Sequence, residues 1–366
     1  MRNLKIGFIG LGLIGGSIAK SIKRVYDNHT IVAYNRSAAT RECALRDGTA
    51  DIVTEQVDEH FSDCDYIFLC TPVEQNIRYL KCLKEIISEN CIITDVGSVK
   101  GNIHTAIEQL SLSKNFIGGH PMAGSEKTGY TNSDSHLLEN AYYAITPTKE
   151  VSSERTNEFF ALISSIGALP VLLDYREHDY AVAAISHVPH LIAACLVNLV
   201  KDNDSDRETM KLLAAGGFKD ITRIASSSPD MWQQICSTNR DNIATLLEKY
   251  IQSLKEIKTA IEKNTPHSVY DLFEKSRDYR DSFSNQTHGL ITKIYTLYCD
   301  IIDESGSIST IAGILAKNNI SIKNIGIVNN RETEAGVLRI EFYEQMASEF
   351  ACQLLADCGY TVYTDK

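Results

Sequence analysis

The stretch Lys5-Ile6-Gly7-Phe8-Ile9, running straight into Gly10-Leu11-Gly12-Leu13-Ile14-Gly15-Gly16-Ser17, constrains this chain more than any other. A short apolar run meets a G-x-G-x-x-G loop, and Ile18, Ala19 and Ile22 then follow helical spacing. Strand, glycine loop and helix in that order are the setting that a dinucleotide-binding fingerprint requires. Gly10 permits a tight turn, Gly12 lets a pyrophosphate approach the backbone, and Gly15 lets helix and strand pack closely. The helix start, at Leu13 and Ile14, offers unpaired N–H groups and the positive end of a dipole to the phosphates.

The same alternation continues to about residue 172. Thr30–Tyr34, Tyr66–Cys70, Cys91–Thr94, Phe116–Ile117, Tyr142–Ile145 and Pro170–Leu173 read as strands with helices between them. That pattern predicts an α/β fold whose N-terminal domain, 1–172, is a Rossmann-type doubly wound parallel sheet. The second strand ends in Asn35-Arg36-Ser37, where an acid would normally meet the ribose of NAD. Arg36 either pairs with a 2′-phosphate or lies in solvent over the adenine, so the cofactor is NAD with NADP left open. Thr71-Pro72, Ser98 within Asp95-Val96-Gly97-Ser98-Val99-Lys100, and His120 within Gly118-Gly119-His120-Pro121-Met122-Ala123-Gly124-Ser125-Glu126 should all lie on loops past strand ends. Ligands bind at that edge of an open parallel sheet. A histidine there, with an ordinary pKa of about 6.5, can serve as a base.

From 173 to 285 the spacing predicts an all-helical domain. Its first long helix carries Ser186-His187-Val188-Pro189-His190, with Pro189 expected to kink it. His187 and His190 share a face, yet no third ligand stands nearby, so they read as pocket histidines and no metal is expected. In Gly216-Gly217-Phe218-Lys219-Asp220-Ile221-Thr222-Arg223, the guanidinium of Arg223 suits a substrate carboxylate, or pairs with Asp220 at the surface. Long helices over Asp241–Lys263 and Ser268–Phe283 predict packing against a second copy, a homodimer. Residues 290–366 spell βαββαβ, an independent split-βαβ domain.

Composition narrows the partners. A net charge of -11 with no basic run excludes nonspecific nucleic-acid binding. Ten cysteines without a C-x-x-C pair fit buried thiols in a reducing compartment. With no apolar run of about 20 residues and no cleavage site after the N-terminal glycines, the expectation is a cytoplasmic protein without a membrane span.

Together, and in this order, the glycine fingerprint, Asp95-x-Gly97-Ser98-x-Lys100, Gly119-His120-Pro121-Met122-x-Gly124-x-Glu126, Ser186-His187-x-Pro189-His190 and Gly216-Gly217-Phe218-x-Asp220-x-Thr222-Arg223 resemble the prephenate/arogenate dehydrogenase family of tyrosine biosynthesis. The resemblance covers about residues 5–285. It implies NAD(P)-dependent oxidative decarboxylation of prephenate, or alternatively arogenate, with His120 as acceptor of the hydroxyl proton and Ser98 beside it. It further implies Arg223 on a substrate carboxylate, His187, His190 and Gly216 lining the pocket, and Glu126 and Asp220 gating it or steadying Arg223. The C-terminal domain is similar to an ACT module, which implies an effector, tyrosine by default, at Asp303, Ser305, Gly306 and Ser307. Two rival readings are a β-hydroxyacid dehydrogenase, whose helical G-x-x-x-K/N run is missing here, and a nucleotide-sensing regulator, which would give His120, Ser98 and Arg223 no role.

Overall fold

Apolar strands covered on both faces read as near-continuous Ile/Val/Phe runs, and the first strands do so. The computed structural model describes residues 3–124, 127–285, 295–302, 306–328 and 335–364. The chain divides into two compact units, 1–256 and 257–366.

The first unit opens with β1 (Lys5–Ile9), α1 (Leu13–Val25), β2 (Thr30–Tyr34), α2 (Ala38–Arg46), β3 (Ile52–Thr54), β4 (Tyr66–Leu69), α3 (Val73–Ile86), β5 (Ile92–Asp95) and α4 (Gly101–Gln109). All five strands are parallel, in the order β3-β2-β1-β4-β5. The direction of winding reverses between β1 and β4, so the crevice that binds ligands opens beside the glycine loop. Alternate residues feed two cores: Phe8, Phe68 and Ile92 join Ile18 and Ile22 on one face, while Ile67, Leu69 and Ile93 join Leu80 and Ile107 on the other.

Next come β6 (Ile117–Pro121), β7 (Tyr142–Pro147), α5 (Ser153–Ser165) and β8 (Leu169–Leu172). The expected single parallel sheet stops at β5. β6, β7 and β8 form a second sheet, with β6 antiparallel to β7 and β7 parallel to β8. One parallel bridge, Ile93 to Phe116, links it to β5. The connection from β6 to β7 has no crossover α-helix among its described residues, so β7 returns antiparallel, as a short return requires. His120 therefore lies within β6, opposite Ala144, and not on a loop. Gly118-Gly119 looks like a turn but is strand. A Cβ on Gly119 would fall 2.6 Å from the Asp95 carbonyl oxygen, so the glycine records close approach to β5.

The helices of this unit are α6 (Tyr175–Val182), α7 (Val188–Asn203), α8 (Thr209–Leu213), α9 (Gly216–Thr222), α10 (Pro229–Thr238) and α11 (Arg240–Glu262), the last crossing into the second unit. Asp174 and Ser228 cap α6 and α10 through their side chains. Pro189 does not kink a regular helix. It stands in the first turn of α7, just after a π-helical turn over Ala183–His187 that joins α6 to α7. The widened turn accommodates the donor that proline lacks. By length and composition the continuous stretch Tyr175–Asn203 could cross a membrane, with a mean hydropathy of 1.7 over its most apolar window. The sequence reading missed it because His178, Asp179, His187 and His190 interrupt the run. Of those side chains, His178, Asp179 and His187 hydrogen-bond to residues outside the stretch, as described below.

In the second unit follow α12 (Ser268–Asn285), β9 (Tyr295–Ile302), α13 (Ser307–Lys317), β10 (Asn324–Val328), β11 (Ala335–Phe342), α14 (Gln345–Asp357) and β12 (Val362–Thr364). The strands form an antiparallel sheet in the order β10-β11-β9-β12. Leu297, Cys299, Ile311, Leu315, Leu338, Ile340, Phe342 and Leu355 make its core. The βαββαβ order read from the sequence is the one observed. All ten cysteines are free, but they are not uniformly buried: Cys64, Cys91 and Cys299 are inside, whereas Cys82, Cys195 and Cys358 are exposed.

Candidate active site

The glycine loop has the geometry its sequence demands. Gly10 sits at φ +99°, a left-handed conformation that a side chain resists, and a Cβ on Gly15 would lie 2.4 Å from the Gly10 carbonyl oxygen. Nothing lies within 4 Å of a Cβ built on Gly12, so that backbone faces open space where a pyrophosphate fits. Gly12 caps α1 without a side-chain bond, leaving the N–H groups at Leu13 and Ile14 to a ligand. Asn35 accepts a hydrogen bond from the Leu11 N–H at 3.0 Å, so it braces the loop. Arg36 is exposed at the end of β2, and Ser37 caps α2 by accepting from the Thr40 N–H. Thr71 donates its hydroxyl to Asn76 Oδ1 at 2.5 Å, and Pro72 leads into α3.

β5 ends in a buried ion pair. Lys100 Nζ donates to Asp95 Oδ2 at 2.5 Å and to the Gly119 carbonyl at 2.6 Å, and both charged side chains are fully buried. Asp95 also accepts from the Gly97 N–H and, at 3.3 Å, from the Gly119 N–H. The pair thus ties the β5 loop to the backbone of β6 immediately before His120. Burial pulls the Lys100 ammonium below its usual range, and Asp95 only partly restores it.

His120 Nδ1 lies 2.9 Å from His178 Nε2, and His178 Nδ1 lies 2.9 Å from Asp179 Oδ1. Asp179 accepts the N–H groups of Lys100 and Gly101, at 2.8 and 2.7 Å, at the start of α4. The imidazole of His120 titrates well below 6.5, first because it is buried, then because Lys100, His178 and His187 are close. It is neutral at physiological pH and can accept a proton. Ser98 follows β5 on the same edge, with no hydrogen bond to His120 among the described residues.

His187 is buried, and Asn239 Nδ2 joins it at 3.2 Å while also donating to the Asp179 carbonyl at 2.7 Å. Burial lowers the pKa of His187 to about 4. His190 turns elsewhere: its Nδ1–H donates to the Ser186 carbonyl and its ring stacks on Trp232 at 4.0 Å. Gly216 opens α9, Asp220 is exposed on it, and Arg223 begins a 3₁₀ turn that packs, like α9, against α7. Glu126, Asp303 and Ser305 lie outside the described residues. Gly306, at φ +102°, caps α13, and Ser307 is its first residue. The sequence reading gave no role to Asp95, Lys100, His178, Asp179 or Asn239. The acidic and basic ends of the Asp95-to-Lys100 motif and the adjacent pair His178-Asp179 were the available signals, but side-chain pairing across 58 residues leaves no local trace.

Two family models match in succession: the prephenate dehydrogenase nucleotide-binding domain over residues 18–172 and the prephenate dehydrogenase dimerization domain over 174–275. The chain is 38% identical over 335 residues to a prephenate dehydrogenase of Bacillus subtilis, covering 91% of this chain and 90% of that one. The chain belongs to the prephenate dehydrogenase family. It is an NAD-dependent oxidoreductase, and membership of this family sets aside the β-hydroxyacid dehydrogenase and sensor readings. A Lactococcus lactis prephenate dehydrogenase is 34% identical over 342 residues, 92% of this chain and 93% of its own. Among solved structures of the family, Aquifex aeolicus prephenate dehydrogenase in complex with hydroxyphenyl propionate and NAD+ superposes with a TM-score of 0.72 at 31% identity, covering 77% of this chain and 99% of that one. Synechocystis arogenate dehydrogenase gives a TM-score of 0.70 at 30% identity, over 76% of this chain and 100% of that one.

Proposed function

We propose that this protein is a prephenate dehydrogenase that converts prephenate to 4-hydroxyphenylpyruvate in tyrosine biosynthesis. The observation that carries the reading is the imidazole of His120, held neutral by desolvation, on the strand bridged to β5 of the sheet whose β1 leads into the open Gly12 backbone, in a chain of this family. Bound NAD+, or NADP+ through Arg36 and Ser37, supplies the hydride acceptor. His120 takes the proton of the ring C4 hydroxyl as hydride leaves that carbon. Arg223 clamps a substrate carboxylate with its planar fork. His187 or His190 lines the pocket with Gly216, Glu126 and Asp220 gate it or steady Arg223, and Ser98 hydrogen-bonds the hydroxyl or orients the imidazole of His120. Breaking the bond to the ring carboxylate releases CO₂ and makes the ring aromatic, and the C4 oxygen recovers its proton from His120. The protein then needs chiefly to orient its parts.

Residues 1–172 hold the cofactor, and 173–285 carry substrate contacts and the homodimer interface. Residues 290–366 form an ACT-like module in which tyrosine, the pathway product, binds at Asp303, Ser305, Gly306 and Ser307 and inhibits. The enzyme works in the cytoplasm. A steady-state assay crossing prephenate and arogenate with NAD+ and NADP+, with and without tyrosine, tests each part at the absorbance of the reduced nicotinamide. Turnover of prephenate with NAD+ is expected. Turnover of arogenate alone would transfer the reading to arogenate dehydrogenase, and absence of turnover on both would overturn it.

A further inference from the structure

The hydrogen bonds behind His120 can be assigned a direction. Asp179 accepts two backbone N–H groups, from Lys100 and Gly101, which can only donate. A carboxylate that takes these donors takes a third from His178 Nδ1, 2.9 Å away. With its hydrogen on Nδ1, His178 presents Nε2 as an acceptor to His120 Nδ1, 2.9 Å away, which then carries the hydrogen between them. His120 is left with an unprotonated Nε2.

We propose that His178 and Asp179 are positioning residues that hold His120 in its Nδ1–H tautomer and stabilise the imidazolium it becomes. This rests on the reading of His120 as the base. The elements explain the precision. β6 carries His120 and α6 carries His178 and Asp179. Asp179 locks α6 to the N-terminus of α4, and Asn239 holds the Asp179 carbonyl. His178 is 1% exposed, so water does not compete for its nitrogens. When His120 Nε2 gains the substrate proton, its Nδ1–H still faces an acceptor, and the carboxylate two bonds beyond favours the new positive charge. A carboxylate acts in the same way behind the base of a hydrolase triad, where losing the correct tautomer costs about 10⁴-fold in kcat.

The test uses His178→Phe, His178→Gln and His120→Asn in the full-length enzyme, with ¹⁵N-histidine NMR of the free protein beside steady-state kinetics. The wild-type spectrum is read first, with His120 assigned from its loss in His120→Asn. It should show a protonated Nδ1 and a bare Nε2. His178→Phe should release that tautomer and lower kcat by roughly 10²-fold or more, with KM for NAD+ unchanged. His178→Gln should keep both within a few-fold, because its carboxamide donates to Asp179 and accepts from His120. A wild-type His120 protonated at Nε2 overturns the proposal even if neither His178 variant folds. So does a Gln variant as impaired as Phe while the tautomer persists in both, since His178 would then be merely structural. Normal turnover by His120→Asn would instead remove the base itself, and the spectrum would still decide the tautomer.

Discussion

Residues 1–172 and residues 174–275 treat their large apolar side chains in opposite ways. In the first stretch the aromatics and branched aliphatics fill two cores, and the most exposed of them, Tyr142, is 51% accessible. In the second, Leu212 is 81%, Leu213 72%, and Ile185 and Phe273 both 68% exposed. Its clustered core amounts to Ala183, Val188 and Ile243 with a few partly buried neighbours. Large apolar side chains exposed to that degree call for a partner. The first region completes its hydrophobic core within one chain. The second spends its apolar residues outward, in keeping with the dimerization family model that matches it and with the homodimer proposed above. The polar groups are distributed the other way. The buried charges Asp95 and Lys100 belong to the first region, and α6 of the second reaches His120 through His178 and Asp179.

Three substitutions separate the two regions, beginning with the largest effect. His120→Asn should lower kcat by 10²–10⁴-fold, roughly, with little change in KM; near-normal turnover would take His120 out of the chemistry. Lys100→Met keeps the volume but leaves the Asp95 carboxylate buried without its counter-ion. A stability loss of about 3–5 kcal/mol is expected in urea unfolding, and a loss below about 1 kcal/mol would show that water reaches the pair. Phe273→Asp places a charge at an exposed apolar position of α12. It should weaken self-association by about 10- to 100-fold in sedimentation equilibrium and leave NAD+ affinity as it was. An unchanged association constant would place Phe273 outside the interface.

The parts legible in the sequence are those with local causes. The glycine loop was readable because each glycine answers a short-range demand: a left-handed turn at Gly10, open backbone at Gly12, contact with Gly10 and Cys70 at Gly15. The βαββαβ order of the second unit was readable because period-2 and period-3.6 patterns alternate cleanly there. His120 was recognised as a residue but misplaced on a loop, since Gly118-Gly119 mimics a turn when the neighbouring strand that forbids a side chain is unseen. The separate β6-β7-β8 sheet escaped for a related reason, because strand direction depends on the path of the connection and not on strand composition. Asp95 with Lys100, and His178 with Asp179, were invisible as partners. Burial makes such pairings costly to break, yet nothing in residue spacing announces them.

The smallest expected effect uses pH, and both regions contribute to it. His104 in the first region and His187 in the second are held neutral by burial, each with its pKa lowered to about 4, and His120 is lowered as well. In the unfolded chain each would take up a proton near 6.5. Between those values the unfolded state binds more protons than the fold, so stability falls as pH drops from about 6.5 toward 4 and is flat above about 7. The carboxylates whose pKa values are lowered in the fold, Asp47, Asp63 and Glu139, contribute stability that is lost only further into acid, as pH falls below about 4. Thermal unfolding at pH 7.5, 6.0 and 5.0 therefore reads the histidines nearly alone. A melting temperature that drops by several degrees over that range is expected, while kcat/KM stays on its plateau below 6.5 because His120 keeps its lone pair. If the activity limb instead falls near 6.5 with no change in melting temperature, the imidazole at 120 is solvated in the fold, and the contrast between a sealed catalytic region and an outward-facing helical one does not hold.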